Sequence, residues 1–303
     1  MNYLVLDVGG SAIKFALMND KVEFLEKGQI ETPKESIEEF TETIGGIFDK
    51  YKGRIEGIAL SMPGIIDSSR GYAHTGGALL YNYDKDIASI LKKRCPINIT
   101  IENDGKCAAL AEAWMGSLSD CNDEIVVVLG TAVGGGIIKD KKLHRGRHFM
   151  AGEFSNIITN IDDIKEGKKH LWAMDNGYEA LIDPIAKIKD IQKEELDGHK
   201  VFEMANGGDK DVLKILDDYC YSLVLQLFNL QHIYDPEKIA VGGGISEQDI
   251  LMEYIHKNIK KYLNFNKYNF VSPEVVRCKY RNDSNLIGAL YHYLTKDKDQ
   301  NNK

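Results

Sequence analysis

A glycine turn near the first residue has the composition of a phosphate-binding hairpin. It reads DVGGSAIK from Asp7 to Lys14, and apolar residues on both sides predict two strands joined at the glycines. Gly9 and Gly10 would let backbone N–H groups converge on a phosphate oxygen, because glycine carries no Cβ. Ser11 adds a hydroxyl donor and Lys14 a positive charge, and Asp7 is placed to hold a water on a bound cation. The same residues would also suit a plain hairpin with an exposed lysine.

A second glycine-rich turn, residues 130–136 (GTAVGGG), follows the apolar run 124–129 and leads into a predicted return strand over 136–139. It is neither a Walker P-loop nor a GxGxxG motif, because no helix with Lys-Ser/Thr follows. One nucleotide polyphosphate held from both halves of the chain explains the two turns better than two unrelated hairpins. The same order of strand, glycine turn and strand occurs at both places in the chain and forms a weak internal repeat, which predicts two similar domains facing a cleft.

The triplet Glu102, Asn103 and Asp104 lies where a predicted strand ends and an alanine-rich helix begins. Asp104 could be merely a helix N-cap, the commonest use of aspartate at such a position. It could instead be a general base that takes the proton of a sugar hydroxyl while a phosphoryl group moves onto that oxygen. Asn103 offers both a donor and an acceptor, which suits neighbouring hydroxyls.

Two further stretches place glycines beside polar residues. In residues 151–156 (AGEFSN), Glu153 could accept two sugar hydroxyls or could be a solvated surface residue. In residues 241–246 (VGGGIS), the glycines would allow adenine or ribose to approach closely, or would serve only tight packing.

The histidines show no metal-ligand spacing. His144 and His148 are four residues apart, but the sequence around them is typical of a loop, so no metal site is predicted there. Arg145 and Arg147 are interpreted as a solvated basic edge.

The composition is that of an ordinary globular protein and narrows the classes of partner. The net charge of −8 makes the chain a poor match to nucleic acid or to an anionic membrane, so neither is predicted as a partner. Five widely spaced cysteines without a CxxC pair argue against a disulfide framework or a cysteine zinc site. The N-terminal apolar run stops at Asp7, so no signal peptide is expected and the predicted location is cytoplasmic.

The elements that must position these residues can be predicted from local patterns. A capping box over residues 36–39 opens a helix that runs to about Tyr51. The other predicted helices cover 86–93, 105–115, 212–232, 248–262 and 284–294. Strands are predicted over 2–8, 13–18, 21–30, 54–61, 97–102, 124–129, 136–139, 238–241 and 274–278.

Taken together, the stretches resemble the ROK family (repressors, open reading frames and sugar kinases) of the actin-like ATPase superfamily. The matches are ordered along nearly the whole chain. They are the first phosphate motif (7–14), SMPG (61–64), the catalytic stretch (102–109), the second phosphate motif (130–136), the sugar loop (151–153), the adenosine loop (242–246) and the C-terminal helix (285–289).

The resemblance implies an α/β, actin-like (ribonuclease H-like) fold, with a cleft between two similar mixed-sheet domains. Residues 1–116 and 285–303 would form the N-terminal domain, and residues 117–284 the larger C-terminal domain. It also implies binding of ATP and Mg²⁺ and transfer of the γ-phosphoryl to a sugar, usually at O6. Family members are commonly dimers or tetramers, so a homodimer is expected.

The roles of individual residues follow from the same resemblance. Asp104 would be the catalytic base, and Asp7 would hold Mg²⁺ through a water. The residues expected at ATP are Asp7, Gly9, Gly10, Ser11, Lys14, Gly130, Thr131, Ala132, Gly134, Gly243 and Gly244. The residues expected at the sugar are Gly64, Gly77, Asn103, Asp104, Glu153, Asn156 and Glu179.

Two departures from the family pattern point to the substrate. The family's sugar loop usually ends Glu-x-Gly-His, where this chain has Asn156, and the family's cysteine cluster is absent from residues 169–179. We therefore predict no structural zinc. Members without zinc and without that histidine include the bacterial β-glucoside kinases, whose substrate loop is similar to residues 75–79 here. A β-glucoside carries a substituent on O1, and loss of a ring held by zinc would open that side of the pocket.

The preferred function is therefore an ATP-dependent kinase acting on O6 of a glucosyl unit, with glucokinase or N-acetylmannosamine kinase as alternatives. A sugar-responsive repressor would carry an N-terminal helix-turn-helix, for which Asp7 lies too near the start. A sugar-binding module without catalysis is disfavoured by the intact Asp7, Asp104 and both glycine turns.

Overall fold

The computed structural model describes residues 1–266, 268 and 271–300, the last four as backbone. Contacts divide the chain into two compact units. The first unit contains Met1–Met115, Leu143–Ala151 and the chain from Asp283 onward; the second contains Gly116–Lys142 and Gly152–Asn282. The segment 143–151 thus groups with the first unit, whereas the family resemblance implies that it belongs to the second domain. Residues 301–303 of the predicted N-terminal domain lie outside the described part.

The strands of the described chain, in order, are β1 Asn2–Val8, β2 Ala12–Asn19, β3 Phe24–Glu31, β4 Gly57–Met62, β5 Ile66–Asp67, β6 Tyr72–Ala73, β7 Lys85–Asp86, β8 Asn98–Asn103, β9 Glu124–Leu129, β10 Val133–Lys139, β11 Lys142–Leu143, β12 Lys238–Gly242 and β13 Val275–Arg277. The helices are α1 Ile37–Tyr51, α2 Ile87–Arg94, α3 Asp104–Met115, α4 Ile161–Lys165, α5 Trp172–Asn176, α6 Tyr178–Lys189, α7 Gly198–Asn206, α8 Lys210–Tyr234, α9 Asp249–Phe265 and α10 Ser284–Gln300. Short 3₁₀ turns, such as Phe154–Asn156, connect some of them. The predicted start of α1 is confirmed: Ser36 is the N-cap, and its hydroxyl accepts from the Glu39 N–H.

The first unit is built on a five-stranded sheet in the order β3-β2-β1-β4-β8. The three strands β1, β2 and β3 are antiparallel neighbours, whereas β4 and β8 run parallel to β1. Strand β1 is buried along almost its whole length, which explains its unbroken apolar sequence. Alternate residues of a strand point to opposite faces. Leu4 and Leu6 join the cluster formed with α1, and Asp7 therefore points to the opposite face.

Helix α10 returns from the far end of the chain to pack on the first unit. It contacts β1, β4, β8 and α3. The approach to α3 is close enough that a Cβ added at Gly288 would lie 1.8 Å from the Cys107 carbonyl oxygen. Only glycine fits there, so α10 is held against α3 at a fixed position. This places Asn285, in the first turn of α10, beside β1.

The second unit repeats the same strand pattern. Its sheet has the order β11-β10-β9-β12-β13, with the hairpin partner β10 on one side of β9 and the parallel strand β12 on the other. The equivalents in the first unit are β2, β1 and β4. The predicted internal repeat of strand, turn and strand is confirmed. Helices α6, α7, α8 and α9 supply most of the apolar side chains that cover this sheet.

Two features differ from the sequence expectation. The return strand of the second hairpin begins at Val133, not at Gly136, so the three consecutive glycines of the motif lie inside a strand. A small sheet of β5, β6 and β7 was not predicted, because its strands have only two residues each. In the described part of the chain, no helix combines the length and the apolarity needed to cross a bilayer.

Candidate active site

The hairpin between β1 and β2 forms a tight and well-braced turn. The Gly9 N–H donates to the Ala12 carbonyl at 3.0 Å, and the hydroxyl of Thr32 donates to the Gly9 carbonyl at 2.7 Å. The N–H of Thr32 reaches the Ser11 carbonyl as well. In the described residues, the N–H groups of Gly10 and Ser11 make no hydrogen bond to protein, and both residues are exposed. The turn therefore leaves two backbone donors that an anion could use.

Asp7 lies just before this turn and is nearly buried. Its Oδ1 accepts from the Ser61 hydroxyl at 3.1 Å and from the Asn285 amide at 3.0 Å, and it is paired in register with Lys14. Burial raises the pKa of Asp7, although the hydrogen bonds from Asn285 and Ser61 and the charge of Lys14 act in the opposite direction. Both described hydrogen bonds fall on Oδ1, so Oδ2 can accept from a water. That geometry fits the predicted role of holding Mg²⁺ through water.

Glu102, at the end of β8, is fully buried and forms an ion pair. Arg145 donates to its Oε2 from Nε and from Nη2, each at 2.8 Å, and the Asn103 N–H donates to Oε1. Burial would raise the pKa of Glu102, but the charges of Arg145 and His292 outweigh it and the pKa is lowered. Arg145 is therefore a structural partner of the polar triplet. The prediction that it belongs to a solvated basic edge was wrong.

The structure assigns the capping of α3 to Asn103 and not to Asp104. The Asn103 Oδ1 accepts from the Lys106 N–H at 3.0 Å, as an N-cap does, while its Nδ2 donates to the Gly64 carbonyl at 3.0 Å. Asp104 is the first residue of α3 and is half-buried; its Oδ1 accepts from the Gly105 N–H. Capping therefore gives no reason for an aspartate at 104. The buried amide of Asn103 uses one donor and one acceptor on the protein, which leaves it one of each for a hydroxyl.

The predicted substrate loop packs against the segment that Asn103 holds. Gly64 has φ +106°, and a Cβ there would lie 2.1 Å from the Thr75 carbonyl oxygen. Gly77 has φ +57°, which also favours glycine. A Cβ at Gly10 would be 3.2 Å from the Ala78 side chain, so the loop also approaches the first hairpin. The first unit thus brings together the hairpin, the triplet and the loop that the sequence singled out.

The hairpin between β9 and β10 resembles the first one in its bracing. The Gly130 N–H donates to the Ala132 carbonyl at 3.0 Å, and the Tyr178 N–H at the start of α6 donates to the carbonyls of Gly130 and Thr131. Gly130, Thr131 and Ala132 are exposed. The N–H groups of Thr131 and Ala132 make no hydrogen bond within the described chain. This turn also offers backbone donors to an anion.

The later glycines of the motif serve packing. A Cβ at Gly135 would lie 2.1 Å from the Val126 carbonyl oxygen and 2.6 Å from the Phe154 ring, and a Cβ at Gly152 would lie 2.9 Å from Gly136 Cα. The Ser155 hydroxyl donates to the Val133 carbonyl and accepts from its N–H.

The loop over 152–156 is therefore fixed directly on β10. Within this loop Glu153 is half-buried, whereas Asn156 is exposed at the end of the 3₁₀ turn. Gly134 lies inside β10, where a phosphate role rests on the sequence resemblance alone.

The second unit contains a cavity of about 360 Å³ beside this hairpin. Its walls are mainly apolar and aromatic, with a few polar groups, as expected for a small-molecule site. The residues that line it are Leu129, Gly130, Thr131, Tyr178, Leu181, Ile182, Gly198, His199, Phe202, Tyr219, Gly244, Ile245, Glu247, Gln248 and Asn282.

The predicted adenosine loop contributes to this cavity in two ways. Gly244 lines it, whereas Gly243 lies behind, with φ +94°, and a Cβ added at Gly243 would lie only 2.0 Å from the Leu129 carbonyl oxygen. The Ser246 hydroxyl donates to the Gly243 carbonyl and holds the loop. The cavity residues on α6 and α7, such as Tyr178 and Phe202, were missed, because they have no glycine or charge pattern to mark them.

Glu179 is placed differently from its neighbour Tyr178. It is exposed on α6, where its carboxylate forms an ion pair with Lys193 at 2.9 Å. Lys193 also pairs with Asp183, at 2.8 Å. Its predicted contact with the sugar has no support from its position in the second unit and stays a prediction. Among the described residues, no cluster of three or more His, Cys, Asp or Glu side chains could hold a metal ion.

Comparison with known proteins assigns the chain to a family. The family model described as "ROK family" matches residues 3–296. The chain belongs to the ROK family. It is 26% identical to the β-glucoside kinase of Klebsiella pneumoniae over 293 residues, which cover 97% of this chain and 96% of the relative. It is 28% identical to the N-acetyl-D-glucosamine kinase of Mannheimia succiniciproducens over 303 residues, which cover 96% and 98%.

A solved structure of a ROK family protein from Streptococcus pneumoniae TIGR4, in complex with sucrose, matches with a TM-score of 0.88. The two chains are 26% identical, and the match covers 99% of this chain and 100% of that one. The predicted α/β actin-like fold is confirmed. With the family match and these relatives, the chain is an ATP-dependent sugar kinase of the ROK family.

Proposed function

We propose that this kinase transfers the γ-phosphoryl group of ATP to O6 of the glucosyl unit of a β-glucoside, with Asp104 as general base. The catalytic assignment rests on the different roles of two neighbouring residues at the start of α3. Asn103 caps the helix, and Asp104 is half-buried beside it. An aspartate that is not required as a cap, next to an amide with one donor and one acceptor left for a hydroxyl, supports the assignment of Asp104 as the base.

The electrostatic environment of Asp104 is compatible with a general base. Asp104 lies at the N-terminus of α3, where the helix dipole stabilises a carboxylate. An ionised carboxylate can accept the hydroxyl proton as the phosphoryl group moves, and general-base assistance of this kind is typically worth about 10²–10⁴-fold. The remaining donor and acceptor of Asn103 would orient the same sugar. Phosphoryl transfer otherwise depends on positioning and on electrostatic stabilisation of the phosphates.

The adenosine of the nucleotide would be held by the second unit. The apolar cavity would take the adenine, with Gly244 allowing close approach of the adenosine. Each glycine hairpin would offer backbone N–H donors to phosphate oxygens, from Gly10 and Ser11 in the first unit and from Thr131 and Ala132 in the second. When bound, Mg²⁺ neutralises phosphate charge, and Asp7 would hold one of its waters.

The preference for a β-glucoside rests on the sugar loop. Asn156 is exposed at the position where the family pattern has a histidine, so this position contributes no imidazole ring to the loop. The relatives include a β-glucoside kinase. They also include an N-acetyl-D-glucosamine kinase, which makes an N-acetylhexosamine the second candidate acceptor.

A coupled ADP-release assay over mono- and disaccharides tests the proposal. We expect β-glucosides such as cellobiose to give the highest kcat/KM, and higher turnover of N-acetylglucosamine or free glucose would contradict the substrate assignment. Asp104→Asn should lower kcat by about 10²–10⁴-fold while nucleotide binding persists. Asp140→Asn, an exposed turn residue, is the matched control and should keep wild-type turnover. Unchanged kcat in Asp104→Asn would remove Asp104 from its role.

A further inference from the structure

The small sheet of the first unit exposes two aromatic rings on one face. Tyr72 belongs to β6, and His74 continues it, because the His74 N–H donates to the Ile65 carbonyl at 2.8 Å. Residues two apart on a strand point the same way, so these rings share a face while Ala73 between them is buried. The rings are 5.2 Å apart at an angle of 62°, and the Tyr72 hydroxyl is fixed by a 2.6 Å hydrogen bond to Asp84.

A third ring comes from the segment that contains Arg145. Phe149 stacks on His74, with ring centroids 5.6 Å apart and planes at 24°. Its backbone has φ +61°, a left-handed conformation that is uncommon for a bulky side chain and that concentrates at ligand sites. The segment is closed by a hydrogen bond from the Ala151 N–H to the Arg145 carbonyl. Phe149 is thus held in place by the backbone, in spite of an unfavourable conformation.

These three rings, the aromatic face, are not part of the hydrophobic core. Neither Tyr72, His74 nor Phe149 belongs to the core cluster of the first unit, and His74 is exposed while the other two are half-buried. Packing alone gives little reason to hold Phe149 in a strained conformation against an exposed ring. A ligand that covers the rings would gain the apolar contact that the protein leaves open.

The aromatic face is tied to the residues proposed to bind the sugar. His74 precedes Thr75, whose hydroxyl accepts from the Ile65 N–H at 2.9 Å. The adjoining Gly64 carbonyl accepts from the Asn103 amide. His74 is therefore hydrogen-bonded to Ile65, the residue next to Gly64, whose carbonyl accepts from Asn103. The rings belong to the same unit as Asp104.

We propose that the stacked pair of His74 and Phe149 is the subsite for the second pyranose ring of a β-linked disaccharide whose first ring is phosphorylated. This inference rests on the proposed sugar-kinase function and adds the substrate class. The C–H face of a β-linked pyranose is flat and apolar and bears a slight positive charge, which matches the negative face of an aromatic ring. The subsite selects a disaccharide over glucose, because a monosaccharide does not reach it.

Kinetics with glucose and cellobiose test the subsite. Phe149→Gly removes the ring and also relieves the left-handed backbone, so the variant should fold. We expect it, and His74→Ala, to lower kcat/KM for cellobiose about three- to tenfold, the range typical of one ring stack, and to leave glucose unchanged. Phe149→Tyr should retain the preference. Phe265→Ala, an exposed phenylalanine of the second unit, is the control.

Titration of cellobiose and methyl β-glucoside without nucleotide provides a readout that does not depend on turnover. Weaker binding of cellobiose alone in Phe149→Gly supports the subsite, even if no phosphorylation is observed and the proposed function fails. Equal effects on both ligands, or none, overturn it. A wild-type enzyme that phosphorylates glucose but does not bind cellobiose would also overturn the subsite while leaving the sugar-kinase function intact.

Discussion

Arg145 reaches the single oxygen Oε2 of the buried Glu102 with two nitrogens, Nε and Nη2, each at 2.8 Å. The two residues are 43 positions apart in the sequence. Glu102 directly precedes Asn103 and accepts its N–H, so the guanidinium fixes the strand end that leads into Asn103 and Asp104. If Asp104 is the base, as we propose, Arg145 acts as a positioning residue for it.

Replacement of Arg145 by alanine should destabilise the protein and reduce turnover. Removing one partner of a buried ion pair typically costs about 3–5 kcal/mol, because the remaining charge stays desolvated. We expect a value near the lower end, since the Arg145 side chain is 25% exposed. Urea unfolding would measure it, and a kcat that falls while KM for ATP is kept would show the positioning effect. Arg147→Ala, on the same segment, is the control; equal stability of the two variants would contradict the assignment.

Acid stability should depend on the same pair. The pKa of Glu102 is lowered in the folded protein from an ordinary 4.5. Its contribution to stability is therefore present above about pH 4.5 and is lost as the pH falls through the folded pKa. In Arg145→Ala the charge that opposes the effect of burial is gone, so the pKa of Glu102 rises. Acidification should therefore reduce the free energy of unfolding less in Arg145→Ala than in Arg147→Ala. Unfolding free energies at pH 6 and pH 3.5 measure this; parallel losses in both variants would exclude Glu102 as the responsible group.

His170 should make the segment between β11 and α6 sensitive to pH. Its two ring nitrogens face Asp175 at 2.7 Å and Asp163 at 2.6 Å, and the hydrogen bonds to Asp175 and Asp163 raise its pKa. A raised pKa means that the stabilisation is complete below about pH 6.5, and is lost as the pH rises through the folded value. Hydrogen exchange at the Trp172 N–H, which donates to the Ile157 carbonyl, should therefore accelerate from pH 6 to pH 8.5, beyond the intrinsic rate change.

The variant His170→Gln supplies the control for this effect. Glutamine keeps hydrogen-bonding groups without a titratable charge, so the excess acceleration should disappear. An unchanged pH dependence in the variant would show that the two carboxylates act independently of His170.

Gly135→Ala should disturb the loop that carries Glu153. The added Cβ would meet the Val126 carbonyl at 2.1 Å and the Phe154 ring at 2.6 Å, and overpacking of this kind typically costs about 1–3 kcal/mol. If Glu153 contacts the sugar, KM for the sugar should also rise. Gly46→Ala in α1 has nothing within 4 Å of the new Cβ and should be neutral or stabilising. A Gly135→Ala variant as stable as Gly46→Ala would contradict the packing.

The features that could be predicted from sequence are those set by local pattern. The apolar runs and turn glycines around Asp7 and Gly130 specify hairpins within a few residues, and the capping box at Ser36 starts a helix where it was expected. The predicted start of the return strand at Gly136 was wrong, because β10 begins at Val133 and the ring that packs on Gly135 belongs to Phe154, 19 residues later. No local signal distinguishes a glycine needed for a phosphate from one needed for a side chain.

The Arg145 ion pair and the aromatic face were missed for the same reason. Arg145 has the neighbours of a surface arginine, and only the fold brings it to Glu102. Tyr72 lies in β6 and His74 directly follows it, and a strand of two residues is too short to show a periodic pattern in the sequence. Phe149 joins them from another part of the chain. Side chains that meet across long sequence separations leave no mark in composition or spacing.

The return of α10 to β1 has a consequence for synthesis of the protein. The Asn285 amide that bonds Asp7 is 278 residues further along the chain, and Gly288 is required where α10 crosses α3. A ribosome-bound chain that has completed everything up to β13 still lacks this helix, so its first unit remains unfinished. The hairpin after β1 is therefore translated well before the helix that completes its surroundings, and Asp7 acquires its hydrogen bond from Asn285 only once α10 has folded onto the first unit.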